Sequence, residues 1–308
     1  MTANNTISCG VPDWFGSPTS GDPDAWINEF LVIAVNLPFC AFSFLSNLAI
    51  IITIIKTPSL HRPCNTLLCC LAATDGLTGV TSQPIFVTLR LILLYRDNTT
   101  CGNQEKLFTA FYACIMLTSG WSFVFLCVIS FDRHYALSRP LMYRTRVSNK
   151  GALTIIALTG ASWFFLTLCV LFVFPRVGGL IFGMAVTAIF IVVPIVNHIR
   201  MFFAFRRHNK LILAEGVTEI QQLSIALQRE KKIAFDMAVI SLILLLSLAP
   251  SLLNRIIISS VSMDVFAVLQ PWTITMVFLS SSLNPIVYIR RNIRLRNAVR
   301  YVIFASNT

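Results

Sequence analysis

Seven long apolar stretches, nearly free of charge, leave this chain few ways to fold: Phe30–Ile55, Thr66–Leu89, Leu107–Phe131, Ala152–Phe174, Val177–Ile199, Ile233–Asn254 and Val265–Ile289. As a helix rising 1.5 Å per residue, each is long enough to cross ~30 Å of hydrocarbon. Only the second and sixth carry a carboxylate, Asp75 and Asp236. Composition agrees: 56% of the residues are hydrophobic and 12% charged, with a mean hydropathy of +0.75. A soluble domain holds about twice that charge. The pattern predicts an all-α membrane protein, a seven-transmembrane helix bundle. Domains follow as an amino-terminal segment 1–29, a bundle 30–289 and a tail 290–308.

The formal net charge of +11 is not the footprint of a nucleic-acid binder, because its placement follows the membrane. Nineteen of the 24 Lys and Arg residues fall after the first, third, fifth and seventh segments. That side is predicted to be cytoplasmic. The sequons at Asn4 and Asn98 both fall on the other side, as glycosylation requires. Residues 1–29 hold Asp13, Asp22, Asp24 and Glu29 and no basic residue, so the first apolar segment is expected to act as a signal anchor with the amino terminus outside. The expected location is the plasma membrane, multi-pass. Past Tyr288, the stretch Arg290–Phe304 sets five arginines against Leu295, Val299, Val302 and Ile303. That pattern predicts an amphipathic helix along the inner leaflet, its arginines facing anionic membrane lipids.

The third segment ends in Asp132-Arg133-His134-Tyr135 and runs on to Pro140-Leu141-Met142-Tyr143. Other segments hold Ser46-Asn47, Leu71-Ala72-Ala73-Thr74-Asp75, Trp163, Pro194, Pro250 and Asn284-Pro285-Ile286-Val287-Tyr288. In this order on seven segments, the motifs resemble the rhodopsin-like (class A) G-protein-coupled receptors from roughly Phe30 to Phe304, with a weak likeness to the melanocortin branch. The resemblance implies a receptor that binds an extracellular small-molecule, lipid or peptide ligand and activates a heterotrimeric G protein, with the amphipathic stretch as an eighth helix. A receptor-like binder without signalling and a small transporter are the rival readings. No phosphate loop or metalloprotease motif is present, so an enzyme is not expected.

Asp75 is the costly residue, since a mid-membrane carboxylate needs partners. Counting along helices puts Asp75 about 13 Å from Thr66, Asn47 about as far from Lys56, Ser122 about 16 Å from Arg133 and Asn284 about 9 Å from Arg290. These depths are similar, and Ser281 lies nearly one turn above Asn284. The resemblance implies a sodium ion at Asp75 with Asn47, Ser122, Ser281 and Asn284. A structural polar network is the alternative, and no other cofactor is expected. The resemblance also implies a switch of Asp132, Arg133, Glu230, Pro250, Pro285 and Tyr288, in which Arg133 latches to Glu230. G-protein contact then falls to Arg133, Pro140 and Leu141.

Departures from the family shape the ligand. Phe108 stands where the family has its third-helix cysteine, and no cysteine lies near Pro175. Ile115 takes the place of an amine-binding aspartate, and Phe278 that of a retinal lysine. The expected pocket is Ile115, Leu248, Arg255 and Phe278: apolar walls with Arg255 at the rim, and Arg90 and Arg176 near the same surface. It suits an apolar ligand with an acidic head; the alternative is that the arginines merely snorkel. Cys9 and Cys101 both lie outside, either as a disulfide or as two free thiols.

Overall fold

The computed structural model describes Phe15, residues 23–95, 101–172, 176–214 and 263–304, and single helical positions at 235, 242, 246, 249, 250 and 253. The described residues are helical apart from short connections. The first segment is α1 (Pro23–Lys56), and the second is split into α2 (Pro63–Val80) and α3 (Ser82–Tyr95). Then follow α4 (Cys101–Ser138), α5 (Pro140–Arg146), α6 (Asn149–Phe172), α7 (Arg176–Ala214), α8 (Met263–Arg291) and α9 (Ile293–Phe304). Most of the sixth segment, with Glu230, Asp236, Leu248 and Arg255, lies outside the described residues.

Helices overrun the apolar stretches at both ends. α1 begins at Pro23 instead of Phe30, and α4 runs from Cys101 to Ser138 instead of Leu107 to Phe131. Hydropathy marks the part of a helix that lipid touches; polar turns continue it wherever the backbone stays hydrogen-bonded. The break between α2 and α3 has a local cause. Pro84 has no N–H, and its ring would strike the carbonyl four residues back, at Val80, so the helix turns at Thr81 and resumes with Ile85 donating to Thr81. The amphipathic helix starts at Ile293, and Arg290 and Arg291 belong to α8. Asn292 is the reason: its Oδ1 accepts from the backbone N–H of Arg294 and Leu295, both at 3.2 Å, and so caps α9.

Two apolar clusters fill the interior. One, toward Arg133, gathers Ile50, Leu67, Leu71, Phe125, Leu126 and Tyr288, and α9 closes it by burying Leu295 and Val299. The other, at the opposite end, gathers Phe15, Phe86, Phe111 and Phe278 among others. Large side chains such as Leu37, Leu45, Ile55, Leu158, Phe165 and Phe203 point outward, as expected where the surroundings are acyl chains instead of water.

α4 and α6 interlock through a reciprocal exchange. Trp163 lies over Gly120, where a Cβ would come within 2.2 Å of the indole, and Trp121 lies over Gly160, where the distance would be 2.7 Å. Small residues let helices approach closely in a membrane, and here each makes room for its neighbour's indole. The Trp163 indole N–H is satisfied by the Met116 carbonyl at 2.9 Å. This fixes α4, the helix that carries Ser122 and Arg133.

Candidate functional site

Polar residues enter the bundle at three levels along its axis. At the middle level, the break at Thr81 leaves Asp75 inside α2, fully buried. The Ser122 hydroxyl lies 2.9 Å from its Oδ1, and the Asn284 amide donates to its Oδ2 at 2.7 Å. Ser281 also hydrogen-bonds this carboxylate. Asn47 ties α1 to the group, donating to the carbonyls of Ser43 at 2.8 Å and Ser281 at 3.2 Å. The structure thus brings together Asn47, Asp75, Ser122, Ser281 and Asn284. It leaves the Oδ1 atoms of Asn47 and Asn284 buried with no hydrogen-bond partner. Buried amide oxygens without a donor are rare and call for one. Two such oxygens beside a carboxylate make a donor set that fits a small hard cation.

At one end of the bundle sits Arg133, 3% exposed. Its Nε donates to Asp132 Oδ2 at 2.9 Å, and Nη2 reaches the same oxygen. Nη2 also donates to the Tyr143 hydroxyl at 2.8 Å, while that hydroxyl donates to Asp132 Oδ1 at 2.9 Å. The guanidinium further lies 5.6 Å from the Tyr143 ring centroid. Burial and the neighbouring Asp132 push the Tyr143 phenol upward, so it stays protonated and able to donate. Tyr143 is positioned by α5, which begins at Pro140, a proline at the first helical position where no N–H is needed. Asp132, Arg133 and Tyr143 therefore form a closed triangle, and sequence reading missed its tyrosine. Glu230 lies outside the described residues, as does the side chain of Leu141. Of the remaining switch residues, Pro250 is helical and half-buried, and Pro285 and Tyr288 are buried in α8. The Tyr288 hydroxyl has no hydrogen-bond partner.

At the opposite end the expectation for Arg90 is corrected. It neither lies near the outer surface nor snorkels: it is 0% exposed and forked onto Glu29 of α1, which is 2% exposed. Nε donates to Oε2 at 2.6 Å, and Nη2 donates to Oε1. Nη1 donates to the Phe15 carbonyl at 2.8 Å. Two charges leave water only when their geometry is this complete. Glu29 also corrects the carboxylate inventory, which had placed none in the first helix. About two turns deeper runs a neutral network: Asn36 donates to Thr275 at 2.8 Å, and Gln83 donates to Asn36 Oδ1 at 3.3 Å. Trp272 donates to Asn28 at 2.8 Å. Of the expected pocket, Ile115 and Phe278 meet in one aromatic cluster, whereas Leu248 and Arg255 lie outside the described residues. Also outside are Asn4, Asn98 and Cys9, and hence the Cys9–Cys101 pairing.

Known proteins match this sequence. Residues 46–177 match the family described as 7 transmembrane receptor (rhodopsin family). Melanocortin receptor 3 of Mus musculus is 23% identical over 291 residues, 91% of this chain and 87% of its own length. 5-hydroxytryptamine receptor 1E of Homo sapiens is 33% identical over 140 residues, 45% of this chain and 37% of its own. Trace amine-associated receptor 9 of Mus musculus is 36% identical over 120 residues, 39% of this chain and 32% of its own. These relatives are receptors, not enzymes. The family match over residues 46–177, with low similarity to melanocortin receptor 3 over nearly the whole length, supports a rhodopsin-like (class A) G-protein-coupled receptor, a multi-pass membrane protein that binds an extracellular ligand and signals through a heterotrimeric G protein.

Proposed function

We propose that the ligand is an apolar molecule with an acidic head, a lipid acid or a peptide presenting a carboxylate. It enters from the extracellular side, where the amino terminus lies. The observation that carries this reading is the aromatic cluster that joins Ile115 on α4 to Phe278 on α8, with Phe86, Phe108 and Phe111 around it. With Arg90 taken by Glu29, Arg255 supplies the charge for the acidic head. Two relatives are named for amines, but Ile115 stands where an amine-binding aspartate would be. A panel of carboxylate lipids, carboxylate peptides and amines, read by second-messenger output in cells, tests the reading. An acidic agonist whose potency falls in Arg255→Ala is expected; a cationic agonist overturns it.

On the other side, ligand binding shifts a two-state equilibrium, releases Arg133 and opens the sixth apolar segment, Ile233–Asn254, toward the G protein. Arg133, Pro140 and Leu141 make the contact. Placement of the arginines with the cytoplasm, and of α9 on anionic lipids, rests on the distribution of basic residues. The same orientation puts the sequons at Asn4 and Asn98 outside for glycosylation, and Cys9 and Cys101 outside as a disulfide or as two free thiols.

Sodium is the ion assigned to Asp75, held by Asn47, Ser122, Ser281 and Asn284. The support is the pair of buried amide oxygens without donors beside the carboxylate. An ion that binds the compact resting state better stabilises it by mass action, by about 2.7 kcal/mol at a hundred times its dissociation constant. Purified receptor is therefore expected to melt at a higher temperature in sodium chloride than in N-methylglucamine chloride at equal ionic strength. Asp75→Asn should abolish the difference. An equal difference in that variant would leave the site without its ion.

A further inference from the structure

Phe15 precedes the bundle in sequence but not in space. Seven residues separate it from Pro23, the start of α1. Even so, it is 1% exposed and among the largest fully buried side chains. Its ring meets Phe108 at 5.0 Å between centroids, Phe111 at 5.6 Å and Phe86 at 6.2 Å. Phe86 in turn lies 5.6 Å from Phe278. The surrounding residues come from α3, α4 and α8, and they are the walls assigned above to the ligand. The backbone is held as well as the ring. Arg90 Nη1 donates to the Phe15 carbonyl at 2.8 Å, and the guanidinium lies 5.3 Å from the ring centroid. Glu29 orients the other face of the guanidinium through Nε and Nη2.

We propose that Phe15 is a plug carried by the receptor itself: it occupies the aromatic end of the ligand cavity, clamped through its carbonyl by the Glu29–Arg90 pair, and an extracellular agonist must displace it. The chemistry fits a self-ligand. An aromatic ring fills an aromatic cluster, and its carbonyl oxygen accepts from the buried Arg90 guanidinium. A short tether holds the plug at an effective concentration in the millimolar range, so weak intrinsic affinity suffices for occupancy. The plug also coexists with a resting opposite end, where Arg133 is engaged by Asp132 and Tyr143. It therefore blocks without activating. The proposal rests on reading this cluster as the ligand cavity, but its test uses neither a ligand nor a G protein.

Two measurements on the full chain in membranes decide it. First, p-benzoylphenylalanine, close to phenylalanine in shape, replaces Phe15 and is photolysed. Attachment to peptides of α3 or α4 is expected; attachment only elsewhere on the chain, or to other molecules, overturns the proposal. This arm needs no destabilised variant. Second, Ile115→Cys in a Cys9→Ala/Cys101→Ala/Cys114→Ala background is labelled from outside with a membrane-impermeant thiol reagent. Adding Phe15→Ala should raise the labelling rate roughly ten- to a hundred-fold, as losing a fully buried phenylalanine side chain implies. A soluble peptide of residues 11–19 should slow it again. An unchanged rate would show the cavity open with Phe15 in place, and the plug would be refuted. If both arms succeed while no acidic agonist is ever found, the plug stands and only the ligand chemistry falls.

Discussion

Arg90→Met lowers the thermal stability of the purified receptor by about 3–5 kcal/mol, because the substitution leaves Glu29 as a buried charge without its partner. The loss exceeds that of an ordinary surface charge, whose pairs contribute about 0–1 kcal/mol. Glu29→Gln is milder, since a neutral amide can still accept from Arg90. The double variant Glu29→Leu/Arg90→Met is the informative one. Replacing both members of a buried pair with apolar groups of similar volume is often neutral, so the double variant should recover most of the loss. Thermal unfolding in detergent, with surface expression as a cellular check, reads all three. A single variant that melts with the unaltered receptor would mean that water reaches the pair and that it does not organise this end of the bundle.

That pair also shows where sequence reading stops. Both charges sit at the edges of apolar stretches, Glu29 one residue before Phe30 and Arg90 one residue after Leu89. At such positions snorkelling to the interface is the default, and nothing in spacing separates it from burial. The helices continue past the apolar stretches, to Pro23 and to Tyr95, so both edges fall inside the protein. Asp75 was legible for the opposite reason. It stands alone in the middle of an apolar run, where it has to find partners, and counting residues from the segment ends brought Asn47, Ser122 and Asn284 to similar depth. The fold class followed from the seven stretches, while the break at Thr81 needed the position of Pro84 within the helix. Tyr143 and Phe15 had no signal of this kind. A tyrosine in a connection and a phenylalanine in an amino-terminal segment have no periodicity, and only the tertiary fold gives them partners.

The triangle at Arg133 sets the other large effect. Asp132→Ala raises ligand-free G-protein activation on the order of ten-fold or more at equal surface expression. Asp132 accepts from two nitrogens of Arg133 and from Tyr143. A hydrogen bond to a charged group contributes about 1.5–3 kcal/mol, and 1.4 kcal/mol is a factor of ten in a population ratio. If the resting state holds this contact and the active state does not, removing it moves the equilibrium by that factor. Tyr143→Phe deletes the hydroxyl but keeps the ring under the guanidinium, so a smaller rise is expected, about two- to five-fold. Glu230→Ala tests the latch inferred between Arg133 and Glu230, just before the sixth apolar segment. A rise from Glu230→Ala as large as that from Asp132→Ala places the restraint between helices as well as within the triangle; a rise from Asp132→Ala alone keeps it local. Arg133→Ala serves as the control, because it removes the contact with the G protein and should lose agonist-driven output altogether. If Asp132→Ala and Tyr143→Phe both leave second-messenger output at its resting level, the triangle positions α5 and does not gate the receptor.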